Sequence, residues 1–218
     1  MELYLIRHGQ TVWNVEGRLQ GAIDTELNEN GREKARELGE KLKDIDFDVI
    51  FSSPLSRAYN TAVLVRGEKN TEIIKDDRLR EISFGVADGS EYKSWTANGS
   101  PYNAFFVDPA HYVPPEGGET FLEVCARTRE FVVEKIEPIY QSCKRVMIVA
   151  HGALNSGLSC YLEGRGVEKY WGKGLQKNCA AIIYSFDGEK WEKVSDNGAI
   201  GDASDYMSDK ANGSCSKG

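Results

Sequence analysis

Leu3-Tyr4-Leu5-Ile6-Arg7-His8-Gly9-Gln10-Thr11 is a short apolar run that ends abruptly in a guanidinium, an imidazole and a glycine. Leu3 to Ile6 is apolar at every position, as a parallel strand covered on both faces must be. The polar half reads as the turn where that strand meets a ligand. The same design returns far away, where Val146-Met147-Ile148-Val149-Ala150 is followed at once by His151-Gly152. The chain holds three histidines, and these two strand endings use two of them.

Between the two strands, apolar runs alternate with helical patterns. Asn28 is placed to cap a helix whose apolar positions Ala35, Leu38, Leu42 and Ile45 keep the helical period. Val49, Ile50 and Phe51 form a second strand. Ser53-Pro54 then reads as a cap and first helical position, with Leu55, Ala58, Ala62 and Val65 as the buried stripe. Glu72 to Ile74 is a third strand. From Ser90 to Gly118 the period is lost among prolines and aromatics, and the segment reads as an insertion folded over something. Thr120 with Glu123 makes a capping box for a long helix carrying Phe121, Val124, Cys125, Thr128, Val132, Ile136 and Ile139. The His151 strand is followed by a helix with Leu154, Leu158 and Leu162. Ala180 to Phe186 and Trp191 to Val194 close as a hairpin around Asp187-Gly188. Beyond Asn197 the composition turns to Gly, Ser, Asp and Asn, as in a mobile tail. The pattern predicts one domain over 1–196, with a cap inserted at about 90–117 and a polar, flexible tail at 197–218. Its class is a three-layer α/β/α sandwich with a mainly parallel sheet. Ligands in such sheets sit at the carboxyl ends of strands, where Arg7, His8 and His151 all fall.

A chain of 218 residues, 40% hydrophobic and 28% charged, can bury a core without staples. Its formal charge of −7 leaves no electrostatic footprint for nucleic acid. Against that acidity a local cluster of Arg and His is more telling. Five cysteines, an odd count without C-x-x-C or metal-ligand spacing, read as reduced thiols of a cytoplasmic protein. The N-terminal apolar run is too short for a signal peptide, and no stretch has the ~20 apolar residues of a membrane helix. Cys215, in the polar tail, is expected to react with thiol reagents.

Arg57 falls in the first turn of a helix, where a cation costs a few tenths of a kcal/mol to about 1 kcal/mol. Either it bends into solvent, or it joins Arg7 in an anion site built from guanidiniums, imidazoles and helix N–H groups. His8 has three readings: a structural or solvated ring, a metal ligand, or a nucleophile. Ligation is disfavoured beside arginines that repel a divalent cation, and no third ligand is evident. Neutral imidazole is a good nucleophile, and cationic neighbours would keep its attacking nitrogen unprotonated. Glu81, between Arg80 and Ile82, is a solvated loop carboxylate or a general acid.

These residues resemble the histidine phosphatase superfamily, the phosphoglycerate-mutase-like proteins, in its phosphatase branch. The resemblance rests on Leu5-Ile6-Arg7-His8-Gly9-Gln10-Thr11 with Asn14, on Gln20-Gly21, and on Ser52-Ser53-Pro54-Leu55-Ser56-Arg57-Ala58 with Thr61-Ala62. It continues through Leu79-Arg80-Glu81 with Phe84-Gly85, Gly117-Gly118-Glu119-Thr120 and Ala150-His151-Gly152, in family order over roughly residues 2 to 195. It implies a six-stranded sheet and a phosphohistidine formed on His8. It further implies that Arg7, Arg57 and His151 hold the phosphoryl oxygens and that Glu81 serves as acid and then base. Asn14, Gln20, Gly21 and Gly152 would complete the substrate-binding set. No metal or cofactor is called for, the expected partner is a small phosphate ester, and a homodimer is open because the family contains monomers and dimers.

A mutase needs cations for its substrate's second anionic groups, which in this family come largely from the cap. Here the cap has one lysine, Lys93, and no arginine, and the tail beyond Asp196 has only Lys210 and Lys217. A metal-independent phosphatase for a small, partly apolar phosphomonoester is therefore expected, with a cofactor-dependent mutase as the alternative. The cap aromatics either touch that ester or pack one another. Gly85-Val86-Ala87-Asp88-Gly89 departs from the family's usual Glu, which leaves Asp88 without a role. The helix capped by Asn28 lacks the family's usual Thr.

Overall fold

The computed structural model describes residues 1–196 and the backbone of 200–201. In chain order the elements are β1 (Glu2–Arg7), α1 (Val12–Glu16), α2 (Glu29–Lys41), β2 (Val49–Ser52), α3 (Ser56–Arg66) and β3 (Ile73–Lys75). The cap helices α4 (Tyr92–Thr96) and α5 (Ala104–Val107) and the long α6 (Phe121–Phe131) follow. Then come β4 (Arg145–Ala150), α7 (Gly152–Leu162), β5 (Leu175–Gln176), β6 (Ala181–Phe186), β7 (Trp191–Ser195) and β8 (Ile200–Gly201).

Six strands form one sheet in the order β3-β2-β4-β1-β6-β7, parallel from β3 to β1, with β6 antiparallel to β1 and β7 antiparallel to β6. β1 and β4 lie side by side at its centre and are buried at every position but the first, as continuous apolar runs demand. Alternate residues face opposite layers. Leu3, Leu5, Val146 and Ile148 pack with Phe131, Leu154 and Leu158 of α6 and α7. Tyr4, Ile6, Met147 and Val149 pack with Ala35, Ala58 and Ala62 of α2 and α3. Each fully buried Leu or Ile here contributes about 1.5–3 kcal/mol. The register opposes Arg7 to Ala150, and Ser52 to Val149. The residues that follow these three strands, His8, His151 and Ser53, therefore emerge together at one end of the sheet.

Several expected boundaries move. The Asn28 cap holds, its side chain accepting from Gly31 N, but α2 stops at Lys41 and Ile45 lies beyond it. The third strand starts one residue later than expected, at Ile73. α3 begins at Ser56, and Ser53 is not its cap. Instead the Asp24 carboxylate accepts from Ser56 N at 2.7 Å and from Ser56 Oγ at 2.8 Å, capping the helix from outside. The Thr120–Glu123 capping box forms. Past Phe131 the helix widens to a π turn over Val132–Ile136 and tightens over Glu137–Ile139, so the long stripe is followed by three successive windings. The cap is organised around Trp95 and Phe105, both buried, which stack edge-on against Phe84 at 4.9 and 5.3 Å. In the segment read as a mobile tail, Ile200–Gly201 pairs with Leu175–Gln176. The rest of 197–218, with Cys215, lies outside the described residues. Among those described, no helix is long and apolar enough to cross a membrane, and Cys125, Cys143, Cys160 and Cys179 are free thiols.

Candidate active site

The residues singled out from the sequence line one cavity of about 500 Å3, except His151, which lies behind it. His8 is buried and its Nδ1 lies 2.7 Å from Gly9 O. A carbonyl can only accept, so Nδ1 carries the proton and the neutral ring leaves Nε2 with its lone pair. Burial first, then the Arg57 and Arg7 charges, hold the His8 pKa well below 6.5. The Gly9 turn is itself tied down, because Gly9 N donates to Thr61 Oγ1 at 2.9 Å, whose hydroxyl donates to Arg57 O at 2.7 Å. Asn178 Nδ2 donates to His8 O at 2.8 Å.

Arg57 is fully buried rather than solvated. Its NH1 donates to Ile23 O at 2.7 Å, its NH2 to Gly21 O at 2.9 Å and its Nε to His151 Nδ1 at 3.2 Å. Since Nε can only donate, the His151 proton sits on Nε2, which donates to Ser53 Oγ at 2.8 Å. The two imidazole centroids are 5.2 Å apart. The His151 pKa is also held well below 6.5, by burial and then by Arg57. Both ring nitrogens of His151 are thus engaged by protein.

Arg7 NH1 donates to Gln176 O at 2.6 Å. Gly152 permits the Arg7 guanidinium to sit where it does, because a Cβ there would lie 3.3 Å from Arg7 Cζ. Burial lowers both guanidiniums to about 10, against the pull of Glu81, so both stay charged at neutral pH. Glu81 Oε2 accepts from Ala153 N at 3.2 Å, and its Oε1 from Leu154 N at 2.9 Å and Ile82 N at 3.0 Å. The helix N–H groups expected to meet an anion are therefore held by this protein's own carboxylates, Glu81 at α7 and Asp24 at α3. Asn14 and Gln20 have their amide oxygens bound, by Thr11 N and by Thr25 Oγ1, so what they offer a ligand is an NH2 donor.

Several residues that hold the site carried no assigned role from the sequence. Arg127 NH1 donates to Arg78 O and Arg80 O, both at 2.7 Å, and pairs with Glu119, which accepts from Ser83 N. This clamp fixes the segment carrying Glu81. Asp88 accepts from Phe84 N at 2.8 Å and Ala22 N at 3.2 Å, fastening the Glu81 segment to the loop whose carbonyls grip Arg57. Gln176 spans Leu5 O and Ala180 O and accepts from Asn155 Nδ2. Such partners lie far apart in sequence and have no periodicity to betray them. Tyr92, Phe105 and Phe106 of the cap line the cavity beside Phe84, while Trp95 and Tyr112 of the cap are buried. The third histidine, His111, is exposed on the cap beside Asp108. Among the described residues, no three His, Cys, Asp or Glu side chains gather where they could hold a metal ion.

Residues 3–197 match the family described as histidine phosphatase superfamily (branch 1). The chain belongs to that superfamily. Histidine phosphatases similar to it include phosphoserine phosphatase 1 of Hydrogenobacter thermophilus, 32% identical over 84% of this chain and 86% of that one. The crystal structure of the alpha-ribazole phosphatase from Shigella flexneri superposes with a TM-score of 0.80 at 29% identity, over 92% of this chain and 98% of that one. A 2,3-bisphosphoglycerate-dependent phosphoglycerate mutase of Methylorubrum populi is 34% identical over 74% of this chain and 79% of its own length. Phosphatases are thus among the relatives, and the mutase branch is represented too.

Proposed function

We propose that the protein is a phosphomonoesterase that hydrolyses a small phosphorylated metabolite through a phosphohistidine on His8. The observation that carries this reading is the lone pair of His8 Nε2 held beside two buried guanidiniums that have one nearby carboxylate, Glu81, among the cavity's lining residues. A phosphoryl group would bring its negative oxygens to those two guanidiniums. In the first step Nε2 forms a bond to phosphorus as the ester P–O bond breaks, and Glu81 gives a proton to the departing oxygen. In the second, Glu81 takes a proton from water, the water oxygen attacks phosphorus, and the P–N bond breaks. Arg7 and Arg57 neutralise the charge spread over the equatorial oxygens, the work metal ions do in other phosphoryl-transfer sites. Neutral His151 holds the Arg57 side chain from behind, and reaching a phosphoryl oxygen itself would require its Nε2–H to leave Ser53. Asn14 and Gln20 supply N–H donors, and the aromatic wall favours a partly apolar ester.

A phosphatase is preferred to a mutase because the segment 90–117 brings no arginine to the cavity, and its lysine, Lys93, is not among the lining residues. The enzyme is expected to release phosphate from 4-nitrophenyl phosphate in the presence of EDTA. His8→Ala is expected to abolish that release, and full activity in this variant would sink the nucleophile assignment. A coupled assay of 2- and 3-phosphoglycerate interconversion faster than hydrolysis would favour the mutase.

A further inference from the structure

The peptide bond between His8 and Gly9 is held at both ends by side chains. Its N–H, on Gly9, donates to Thr61 Oγ1 at 2.9 Å. Its carbonyl, on His8, accepts from Asn178 Nδ2 at 2.8 Å. The two side chains come from different elements, Thr61 from α3 and Asn178 from the turn before β6. That turn follows β1 to its end. The register of β6 on β1 closes with Ile6 opposite Ala181. Main-chain bonds carry the pairing one residue further, where Arg7 N donates to Ala180 O at 3.3 Å and Cys179 N to Arg7 O at 3.0 Å. There the ladder stops. Cys179 takes a φ of +54°, and among the described residues it is the one non-glycine with left-handed backbone. Past that turn His8 O receives a side-chain amide in place of a main-chain N–H. A conformation of this kind costs energy and persists only where its surroundings over-determine it, often at a functional site.

What this pin controls is the nucleophile. Glycine turns more freely than any other residue, so an unpinned His-Gly peptide would rotate about Gly9 and carry the Gly9 carbonyl with it. That carbonyl lies 2.7 Å from His8 Nδ1, and the partner of one ring nitrogen decides which nitrogen carries the proton. Building on the phosphohistidine reading above, we propose that Asn178 is a positioning residue for His8: it fixes the His8–Gly9 peptide so that the ring keeps its proton on Nδ1 and presents Nε2 to phosphorus. The left-handed turn at Cys179 delivers the Asn178 amide to that peptide. Asn178 is not among the residues lining the cavity, so it acts through His8 and not on the ester. The bonds to the Arg7 main chain come from backbone atoms of Cys179 and Ala180 and do not use the Asn178 side chain. A substitution at Asn178 therefore separates the nucleophile from the groups that hold the phosphoryl oxygens.

The test reads the imidazole directly. Nitrogen NMR of labelled histidine shows which ring nitrogen is protonated, and with three histidines in the chain His8 is assigned by its loss in His8→Asn. Wild-type His8 is expected to be neutral and protonated on Nδ1. Asn178→Leu, close in size but without a donor, and Asn178→Ala are both expected to move His8 toward a mixture of the two tautomers. They should also lower kcat/KM for 4-nitrophenyl phosphate at least about tenfold while the Ki of inorganic phosphate stays within about twofold. A purely structural role would lower Tm and leave the tautomer alone. Cys179→Gly favours the same left-handed turn and should keep the wild-type signature; a changed signature there refutes the part given to the turn. A wild-type His8 protonated on Nε2, an unchanged signature or kcat/KM in both Asn178 variants, or phosphate affinity lost in step with kcat/KM overturns the proposal. The NMR comparison needs no turnover, so the two readings fail separately. A wild type that does not hydrolyse 4-nitrophenyl phosphate refutes the phosphatase reading, while an unchanged signature in an active enzyme refutes the role of Asn178 alone.

Discussion

Gly152→Ala tests whether the position of Arg7 matters to within a fraction of an ångström. The new methyl carbon would lie 3.0 Å from Leu175 Cδ1, 3.3 Å from Arg7 Cζ and 3.4 Å from Arg7 Nε. Ordinary contact begins near 3.4 Å, so Leu175 must yield by about 0.4 Å and Arg7 by about 0.1 Å. The two are coupled, because the residue after Leu175 holds Arg7 through its carbonyl. Misplacing a catalytic group by 1 Å costs about 100-fold. Shifts of about 0.1 to 0.4 Å then scale to a loss of roughly two- to sixfold in kcat/KM. Stability should move little or rise, since Gly152 opens α7 without left-handed backbone and Ala gains up to about 1 kcal/mol in a helix. The assay is steady-state hydrolysis of 4-nitrophenyl phosphate beside a calorimetric Tm. Unchanged kcat/KM with a raised Tm would refute the claim that Arg7 is held in a position-sensitive contact. A fall in both would mean the core, not Arg7, had been disturbed.

Thr61→Val keeps the shape of a buried side chain but leaves Gly9 N without its acceptor, which costs about 1–3 kcal/mol. It should lower the midpoint of urea unfolding and reduce kcat, with Thr61→Ser recovering both; equal kcat in Thr61→Val and wild type would show that the Gly9 turn needs no anchor. Stability should also fall with acid in a defined window. His8 and His151 have folded pKa values held well below 6.5, so the unfolded chain binds protons that the folded chain refuses. Their contribution is intact above pH 6.5 and is lost as pH drops below it, at up to about 1.4 kcal/mol per unit for each ring. Urea titrations from about pH 6.5 to 5.5 should show that slope, reduced by about half in the pair's share for His8→Asn; identical slopes would mean that His8 is not kept neutral.

The parts of the molecule legible in sequence are those whose cause is local or periodic. The unbroken apolar runs before Arg7 and His151 identified the two central strands, and Thr120 with Glu123 identified a helix start because both ends of a capping box lie within four residues. Arg57 was legible as one of two alternatives, and its burial removes the solvated one. Ser53 was misread for a physical reason: a serine before proline looks like a cap, yet its hydroxyl serves a histidine 98 positions later. Asp24 does the capping instead, from 32 positions earlier, and nothing in its own neighbourhood says so. Arg127 and Gln176 act largely through main-chain carbonyls, which every residue has, so their partners leave no compositional trace.

The strand order has a consequence for how the protein is made. β1 is bordered by β4 and β6, both later in the chain, so it must wait for residues 145–150 and 181–186 before both its edges are satisfied. Pairings this distant in sequence are slow to close and leave an apolar strand uncovered meanwhile. A nascent chain halted before residue 181 would carry His8 at the end of a ribbon open on one side, without β6 to cover that edge, and is the species from which aggregation during synthesis should start.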